Sequence, residues 1–261
     1  MLCVCVIELG EDKTMKIIYI LWERQIKRYL RSKSRVIGSL AQPLFFLLAL
    51  GFGFGPVFSK AGQGNYIQFL VPGIIGMSII FTSIFSGMEI IWDRQFGFLK
   101  ETLVAPVSRF TIMIGRTLGG ATIATLQGTL VLFLSLIAKF HPIDWALVPV
   151  AILIMFLSSL LFTALGTAIA SKLDDMQGFQ LIMNFLVMPL FFLSGAIFPL
   201  SSAGVLGIVA RFDPLSYGVD ALRNLLSGIH GFALSTDILV LSILTLIFLG
   251  AGSYFFSKVQ I

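Results

Sequence analysis

Long stretches without charge alternate with short charged segments along most of the 261-residue chain. A helix that crosses the hydrocarbon core of a bilayer needs about 20 predominantly apolar residues. Six stretches that lack Asp, Glu, Lys and Arg reach about this length: 36–59, 61–88, 117–138, 145–171, 176–210 and 238–257. The pattern predicts an all-α integral membrane protein with a single six-span transmembrane domain over residues 34–258.

The segment before the first span has a two-sided pattern. Helical periodicity places Ile18, Trp22, Ile26, Tyr29 and Leu30 on one face and Glu23, Arg24, Lys27, Arg28 and Arg31 on the other. Residues 15–33 are therefore predicted to form an N-terminal amphipathic helix at the membrane interface. Its charged face either only anchors the first span or also contacts a cytoplasmic partner. Residues 1–14 are interpreted as an extension or disordered tail.

The segment between spans two and three, "WDRQFGFLKETLVAPVSR" at residues 92–109, combines charge with an apolar stripe. The stripe, at helical spacing, consists of Trp92, Phe96, Leu99 and Leu103. Pro106 disfavours helix at the residue before it, and Ser108 can cap the next span. The pattern predicts a cytoplasmic helix over residues 92–105. Because a solvated connector needs no apolar stripe, we interpret this helix as a docking surface for a soluble partner.

The fifth uncharged stretch is too long for a single crossing. Its 35 residues would extend about 52 Å as a helix, against a hydrocarbon core of about 30 Å. The Gly and Pro residues of "LSGAIFPLSSAG", residues 193–204, favour a break. We expect residues 196–232 to form external re-entrant helices, which a bilayer permits only where protein or water covers the backbone.

The basic residues predict the orientation. With six spans, 14 of the 18 Lys and Arg residues fall on the side of the termini and 4 on the other. The positive-inside rule then places both termini in the cytoplasm, and we expect the plasma (inner) membrane of a prokaryote. Only 12% of the residues are charged, against about 25% in soluble domains. The basic residues flank the spans and form no continuous patch, which argues against a nucleic-acid partner.

The sequence offers no obvious catalytic constellation. It contains neither a GxSxG nucleophile motif nor a GxxxxGK[ST] phosphate-binding loop. His141 and His230 lack the spacing of metal ligands, so no metal and no cofactor are expected in this chain. Asp174 and Asp175 are interpreted as a cap for the fifth span. Because the sequence has no phosphate-binding loop, energy for active transport would come from a separate ATPase.

Polar residues inside the spans suggest a route for a substrate. The six uncharged stretches disfavour an ion or proton path, because such paths need ionisable groups within the membrane. Gln42, Gln127 and Asn184 are the polar residues that we consider able to line a passage. The passage would suit a lipid-like or amphipathic substrate.

Three motifs resemble those of the type-2 ABC exporter permeases, particularly the drug-resistance and nodulation-factor export branch. "DRQFGFLKETLVAPVSR" resembles the cytoplasmic signature, and "PLFFLSGAIFPL" and "DPLSYGVDALR" resemble the second signature. The resemblance covers approximately residues 15–258. It implies a permease that forms a homodimer in the membrane lipid and is bound to two ATP-binding cassette subunits. Those subunits would bind ATP and Mg. It also implies export of a drug, lipid or lipid-linked saccharide.

The resemblance also implies roles for two sets of residues. A coupling helix that docks in the ATPase would contain Arg94, Phe96, Gly97, Phe98, Leu99, Lys100, Glu101, Leu103 and Pro106. An external gate would contain Ser194, Gly195, Pro199, Asp213, Pro214, Tyr217, Asp220 and Arg223. Two features depart from the family: Asp213 stands where Asn is usual, and a Pro often present after "FPL" is missing.

Two other functions remain open at this point. A membrane-embedded, lipid-modifying enzyme would use the external polar cluster of Asp213, Tyr217, Asp220, Arg223 and His230. A scaffold or receptor without transport would have no ATPase partner.

Overall fold

A computed structural model describes residues 2–60, 65–97, 108–199, 205–229 and 231–258. Within these ranges the regular structure is helical and no β-strand occurs, which confirms the all-α prediction. The helices are α1 Leu2–Arg31, α2 Lys33–Lys60, α3 Tyr66–Ser86, α4 Met88–Gln95, α5 Arg109–Ile137, α6 Val148–Ala170, α7 Met176–Leu193, α8 Val205–Ala210, α9 Pro214–Ser227 and α10 Leu234–Ser257. A 3₁₀ turn, Trp145–Leu147, precedes α6.

Six helical stretches are long and apolar enough to cross a membrane, as predicted. They are Lys33–Pro56, Tyr66–Gln95, Arg109–Ile137, Trp145–Ala170, Met176–Leu193 and Leu234–Ser257. The second stretch, which contains α3 and α4, is the most buried: 78% of the residues in its most apolar part lie inside the protein. The stretches of α2 and α10 are the least buried, with 17% each. The core therefore surrounds α3, with α2, α7 and α10 at the periphery.

Two predicted helix starts are confirmed at the level of single side chains. Ser108 caps α5 by accepting a hydrogen bond from the backbone N–H of Thr111 at 3.1 Å. Asp175 caps α7 by accepting from the backbone N–H of Gly178. Both side chains satisfy donors that the first turn of a helix leaves unpaired.

The N-terminal helix differs from its prediction in extent and position. It begins at Leu2, so that residues 2–14 are helical and not a disordered tail. This segment contains no Pro to end a helix. The helix also packs tightly against α5, because Gly115 and Gly119 leave room for Leu21 and Gln25, and a Cβ at either glycine would crowd them. Leu30, predicted on the apolar face, is instead 59% exposed.

The chain turns back after α7, as expected from the length of the fifth uncharged stretch. We call the end of the bundle that contains α4 the terminal end, because the end of α10 lies there: Arg109 at the start of α5 donates to the carbonyl of Ser257 at 2.7 Å. At the opposite end, α9 packs against α3, α6 and α10. Ten of its 14 residues are buried, so protein covers this short helix.

Candidate functional site

A buried ionic cluster at the terminal end connects four helices. Its acidic members are Glu89 and Asp93, one helical turn apart on α4 and 9% and 3% exposed. Guanidinium groups approach them from α1, α2 and α5: Arg24, Arg28, Arg35 and Arg116. We call these six residues the ionic cluster. Among its basic members, Arg116 is the most buried, at 4% exposure.

The distances show how each carboxylate is shared. Asp93 pairs with Arg116 at 2.5 Å and lies 3.5 Å from Arg28 and 3.7 Å from Arg24. Glu89 accepts from Arg35 at 3.0 Å and lies 3.5 Å from Arg28. Buried charges persist only when other charges or hydrogen bonds compensate the lost hydration. The cluster supplies this compensation and thereby fixes α4 against α1, α2 and α5.

The ionic cluster was not apparent from the sequence pattern. Arg24 and Arg28 were predicted on the charged face of an interfacial helix, whereas both contact carboxylates of α4. The signals were two carboxylates at i and i+4 after an apolar span, and the Gly115 and Gly119 pair that brings α1 close. Neither signal identifies its partner, because the pairs join residues far apart in sequence.

The predicted coupling helix differs from the structure where residues are described. The helix containing Trp92 begins earlier, at Met88, and ends at Gln95. Gly97 has a φ of +80°, so the chain leaves the helical conformation there and does not continue unbroken from 92. The remaining predicted coupling residues, Phe98, Leu99, Lys100, Glu101, Leu103 and Pro106, lie outside the described residues.

Two of the described coupling residues, Arg94 and Phe96, differ in what their side chains contact. Arg94 donates to the carbonyls of Leu173 and Ser171, each at 3.3 Å, and pairs with Asp174. It therefore links α4 to the connection between α6 and α7. Phe96, by contrast, is 69% exposed. The structure thus assigns Arg94 a contact within the chain and leaves Phe96 accessible at the terminal end.

Arg223 organises the opposite end of the bundle. It is 7% exposed and donates to the carbonyls of Phe69, Gly195 and Ala196 at 3.3, 3.0 and 3.5 Å. Its guanidinium also lies 3.8 Å from the centre of the Phe69 ring. Burial lowers the pKa of Arg223 to about 10, an effect that the charge of Asp220 opposes. The side chain joins α9, α3 and the segment after α7.

Of the predicted gate residues, Ser194 and Gly195 lie with Arg223. Ser194 donates to the carbonyl of Phe191 at 2.7 Å and accepts from the N–H of Ala196 at 3.2 Å. Gly195 has a φ of +73°, which favours glycine. This tight turn brings the 195 and 196 carbonyls within reach of Arg223. Pro199 is half-buried beyond the turn.

The other gate residues fix the ends of α9. Asp213 caps the helix through the N–H of Leu215 at 2.8 Å, and Pro214 is its first residue. Burial raises the pKa of Asp213 from 3.8 to about 7. Tyr217 donates to the carbonyl of Arg211 at 2.7 Å. Asp220 accepts from the N–H of Phe232 at 2.8 Å, and also from Gly231.

These bonds weigh against the enzyme hypothesis. Asp213, Tyr217, Asp220 and Arg223 each bind backbone groups, a pattern that stabilises turns and helix ends. His230, the fifth member of the predicted polar cluster, lies outside the described residues. The four side chains therefore act as structural supports of α9.

A cavity of about 340 Å³ opens between α1, α2, α3 and α5 in the half of the bundle near the terminal end. Of the three polar residues considered for a passage, Gln42 and Gln127 line this cavity, whereas Asn184 is exposed on α7. Gln127 accepts from Thr82 at 2.7 Å and donates to the carbonyl of Ser39 at 2.7 Å. Polar groups thus interrupt a mainly apolar wall.

Comparisons with known proteins agree with this architecture. The model of a family described as "ABC-2 type transporter" matches residues 17–227. Nodulation protein J of Rhizobium leguminosarum bv. trifolii is 26% identical over 213 residues, covering 80% of this chain and 78% of the relative. A putative transport permease, ycf38, of Cyanophora paradoxa is 29% identical over 221 residues, covering 80% and 74%. The ycf38 permease of Pyropia yezoensis is 28% identical over 214 residues.

Proposed function

The chain belongs to the ABC-2 type transporter family, and from this premise we propose that it is the permease subunit of an ATP-driven exporter of amphipathic or lipid-like molecules. Membership makes it a non-catalytic membrane subunit that works with an ATP-binding cassette subunit. We propose that this partner binds ATP and Mg, and that the cargo is a drug, lipid or lipid-linked saccharide.

The observation that carries the coupling part of the proposal is the position of the ionic cluster. Its two carboxylates lie on α4, which ends at Gln95 within the proposed coupling helix of residues 92–105. Asp93 and Glu89 attach this helix to α1, α2 and α5. A force applied to the coupling segment by ATP-driven closure of the partner would thus reach three other helices through ion pairs.

We propose a homodimer with two ATPase copies. Large apolar side chains project from the peripheral helices α2 and α7: Phe185 is 84% exposed, Leu181 71%, Phe45 69% and Phe52 67%. Lipid or a second copy of the chain suits such surfaces. The excess of Lys and Arg at the terminal end favours cytoplasmic termini in a prokaryotic plasma membrane.

The test is to purify the tagged chain from its native membrane and identify co-purifying proteins by mass spectrometry. We expect an ATPase with a phosphate-binding loop, and we expect the substitution Glu101→Lys to abolish its recovery and transport. Glu23→Lys is the matched control, because Glu23 pairs with Lys27 on the surface of α1 and lies outside the proposed coupling set. Retention of the ATPase and of transport by Glu101→Lys would refute the coupling assignment.

A further inference from the structure

We propose that the cavity between α1, α2, α3 and α5 is a binding site for one anionic phospholipid of the membrane leaflet at the terminal end. The site is lined by residues of a single chain. It uses the orientation proposed above but needs no ATPase, so it can be tested without transport.

The dimensions of the cavity suit one lipid chain in one leaflet. Its volume of about 340 Å³ falls in the range of small-molecule sites. Its wall runs along α3 and α4 from Met77 to Trp92, a distance of about 22 Å at 1.5 Å per residue. Half of a bilayer of about 40–45 Å, headgroup regions included, is about 20–22 Å. A chain bound along this wall would therefore extend from the headgroup region to the middle of the bilayer.

The chemistry of the wall changes along that length. The deeper part is lined by apolar side chains that include Met77 and Phe81, interrupted by the polar side chain of Gln127. Arg35, Glu89 and Trp92 line the end of the cavity at α4. A tryptophan and an arginine at one end of an apolar channel match the interfacial region, where amphipathic and basic side chains meet lipid headgroups.

The charge at this end favours an anionic headgroup. The ionic cluster contains four guanidinium groups and two carboxylates, so two positive charges remain in excess. Arg35 contacts Glu89 through one terminal nitrogen, and its side chain is 39% exposed. A phosphodiester near this guanidinium would offset one of the two excess positive charges. Basic side chains at the cytoplasmic surface attract anionic lipids in this way.

The cavity is accessible from the surface beside α2. Gln42 of α2 lies on the cavity wall and is exposed, and Trp92 is 38% exposed. The helix α2 is itself one of the least buried spans. A lipid can therefore enter laterally beside α2 without passing through the core around α3.

The experiment follows the fluorescence of Trp92 in a chain in which Trp22 and Trp145 are replaced by Phe. This protein is reconstituted in phosphatidylcholine vesicles that contain a small fraction of dibrominated phosphatidylglycerol or, separately, dibrominated phosphatidylcholine. Bromine quenches tryptophan at short range. We expect phosphatidylglycerol to quench Trp92 at a concentration about five-fold lower, the effect of one basic side chain near an anionic surface.

Two pairs of variants locate the effect. Arg35→Gln should remove the preference for phosphatidylglycerol, whereas Lys33→Gln, an equal loss of charge at an exposed position two residues away, should retain it. Gln42→Phe should narrow the entrance and weaken quenching by phosphatidylglycerol, whereas Ala41→Phe, on the adjacent exposed position that does not line the cavity, should not. The Gln42→Phe pair tests the site even if Arg35→Gln fails to fold.

Three outcomes would overturn the proposal: equal quenching by the two lipids in the parent protein, equal loss of preference in Arg35→Gln and Lys33→Gln, or no difference between Gln42→Phe and Ala41→Phe. The second would indicate a general attraction to the basic surface. Because no ATPase is present, failure here would leave the exporter assignment untouched, and failure of the co-purification test would leave this site untouched.

Discussion

The two ends of the bundle bury arginine in different ways. At the terminal end, Arg116 binds the carboxylate of Asp93, which Arg24 and Arg28 also approach. At the opposite end, Arg223 binds three backbone carbonyls and the face of Phe69. At the terminal end a carboxylate on α4 is shared by residues of two other helices, whereas at the opposite end one guanidinium group joins carbonyls of α3 and of the turn after α7. We therefore expect the ion pairs of the terminal end to transmit a displacement of α4 to its neighbours, and Arg223 to hold the turn after α7 against α3 and α9.

The largest expected effect is at the terminal end. Arg116→Ala would leave the carboxylate of Asp93 buried without its closest partner, and removal of one member of a buried ion pair costs about 3–5 kcal/mol. We expect a large fall in the thermal midpoint in detergent. The double variant Arg116→Met with Asp93→Leu should recover most of this loss, because it removes both charges. Equal midpoints for the single and double variants would contradict a specific pair.

At the opposite end, we expect Arg223→Met to cost about 2–4 kcal/mol, because buried carbonyls lose their donor and the cation–π contact disappears. Thermal unfolding in detergent measures the change. The comparison of the two ends predicts that Arg223→Lys restores little, since one ammonium group cannot span the Phe69 and Gly195 carbonyls as the guanidinium does. Full stability of the lysine variant would show that charge alone is needed there.

A smaller loss of stability is expected when the contact between α1 and α5 is disturbed beside the ionic cluster. Gly119→Ala would place a Cβ against Gln25, and overpacking costs about 1–3 kcal/mol. We expect the variant to have a lower thermal midpoint. Gly38→Ala is the control, because no atom lies within 4 Å of a Cβ at that position. A similar loss in both variants would mean that helix contact is not the cause.

The last effect concerns how stability at the opposite end depends on pH. Burial raises the pKa of Asp213 from 3.8 to about 7, so the folded chain binds a proton that the unfolded chain releases. Its contribution to stability is full below about 4 and is lost as pH rises through about 7. Asp213→Asn retains a capping oxygen and should remove this part of the pH dependence. Unfolding midpoints between these pH values check the expectation, and an unchanged profile would contradict it.

The sequence was sufficient for features set by local chemistry. Uncharged length predicted the six spans, and side chains such as Ser108 and Asp175 predicted their own caps, because each acts on a backbone group a few residues away. The excess length of the fifth stretch predicted the turn after α7. Trp22 and Tyr29 were predicted on the apolar face of an interfacial helix, and the structure shows that both hydrogen-bond to α5, through Thr122 and Gln127.

Features that depend on pairing between distant segments were not predictable in this way. Glu89 and Asp93 looked like the charged edge of a span until Arg35 and Arg116 were placed beside them. Arg223 could be recognised as a conspicuous charge but not as a donor to carbonyls of α3 and the turn after α7. Helical periodicity also continued through Gly97, where the backbone is left-handed.

The order of the partners along the chain has a consequence for synthesis. Arg24, Arg28 and Arg35 precede the carboxylates of α4 that they contact, and Arg223 follows the carbonyls of Phe69, Gly195 and Ala196. Chains fold from the N-terminus as the ribosome extends them. Glu89, Asp93 and Arg223 therefore emerge after groups that they contact, whereas Arg116, the closest partner of Asp93, emerges 23 residues later and completes the ionic cluster only when α5 is made.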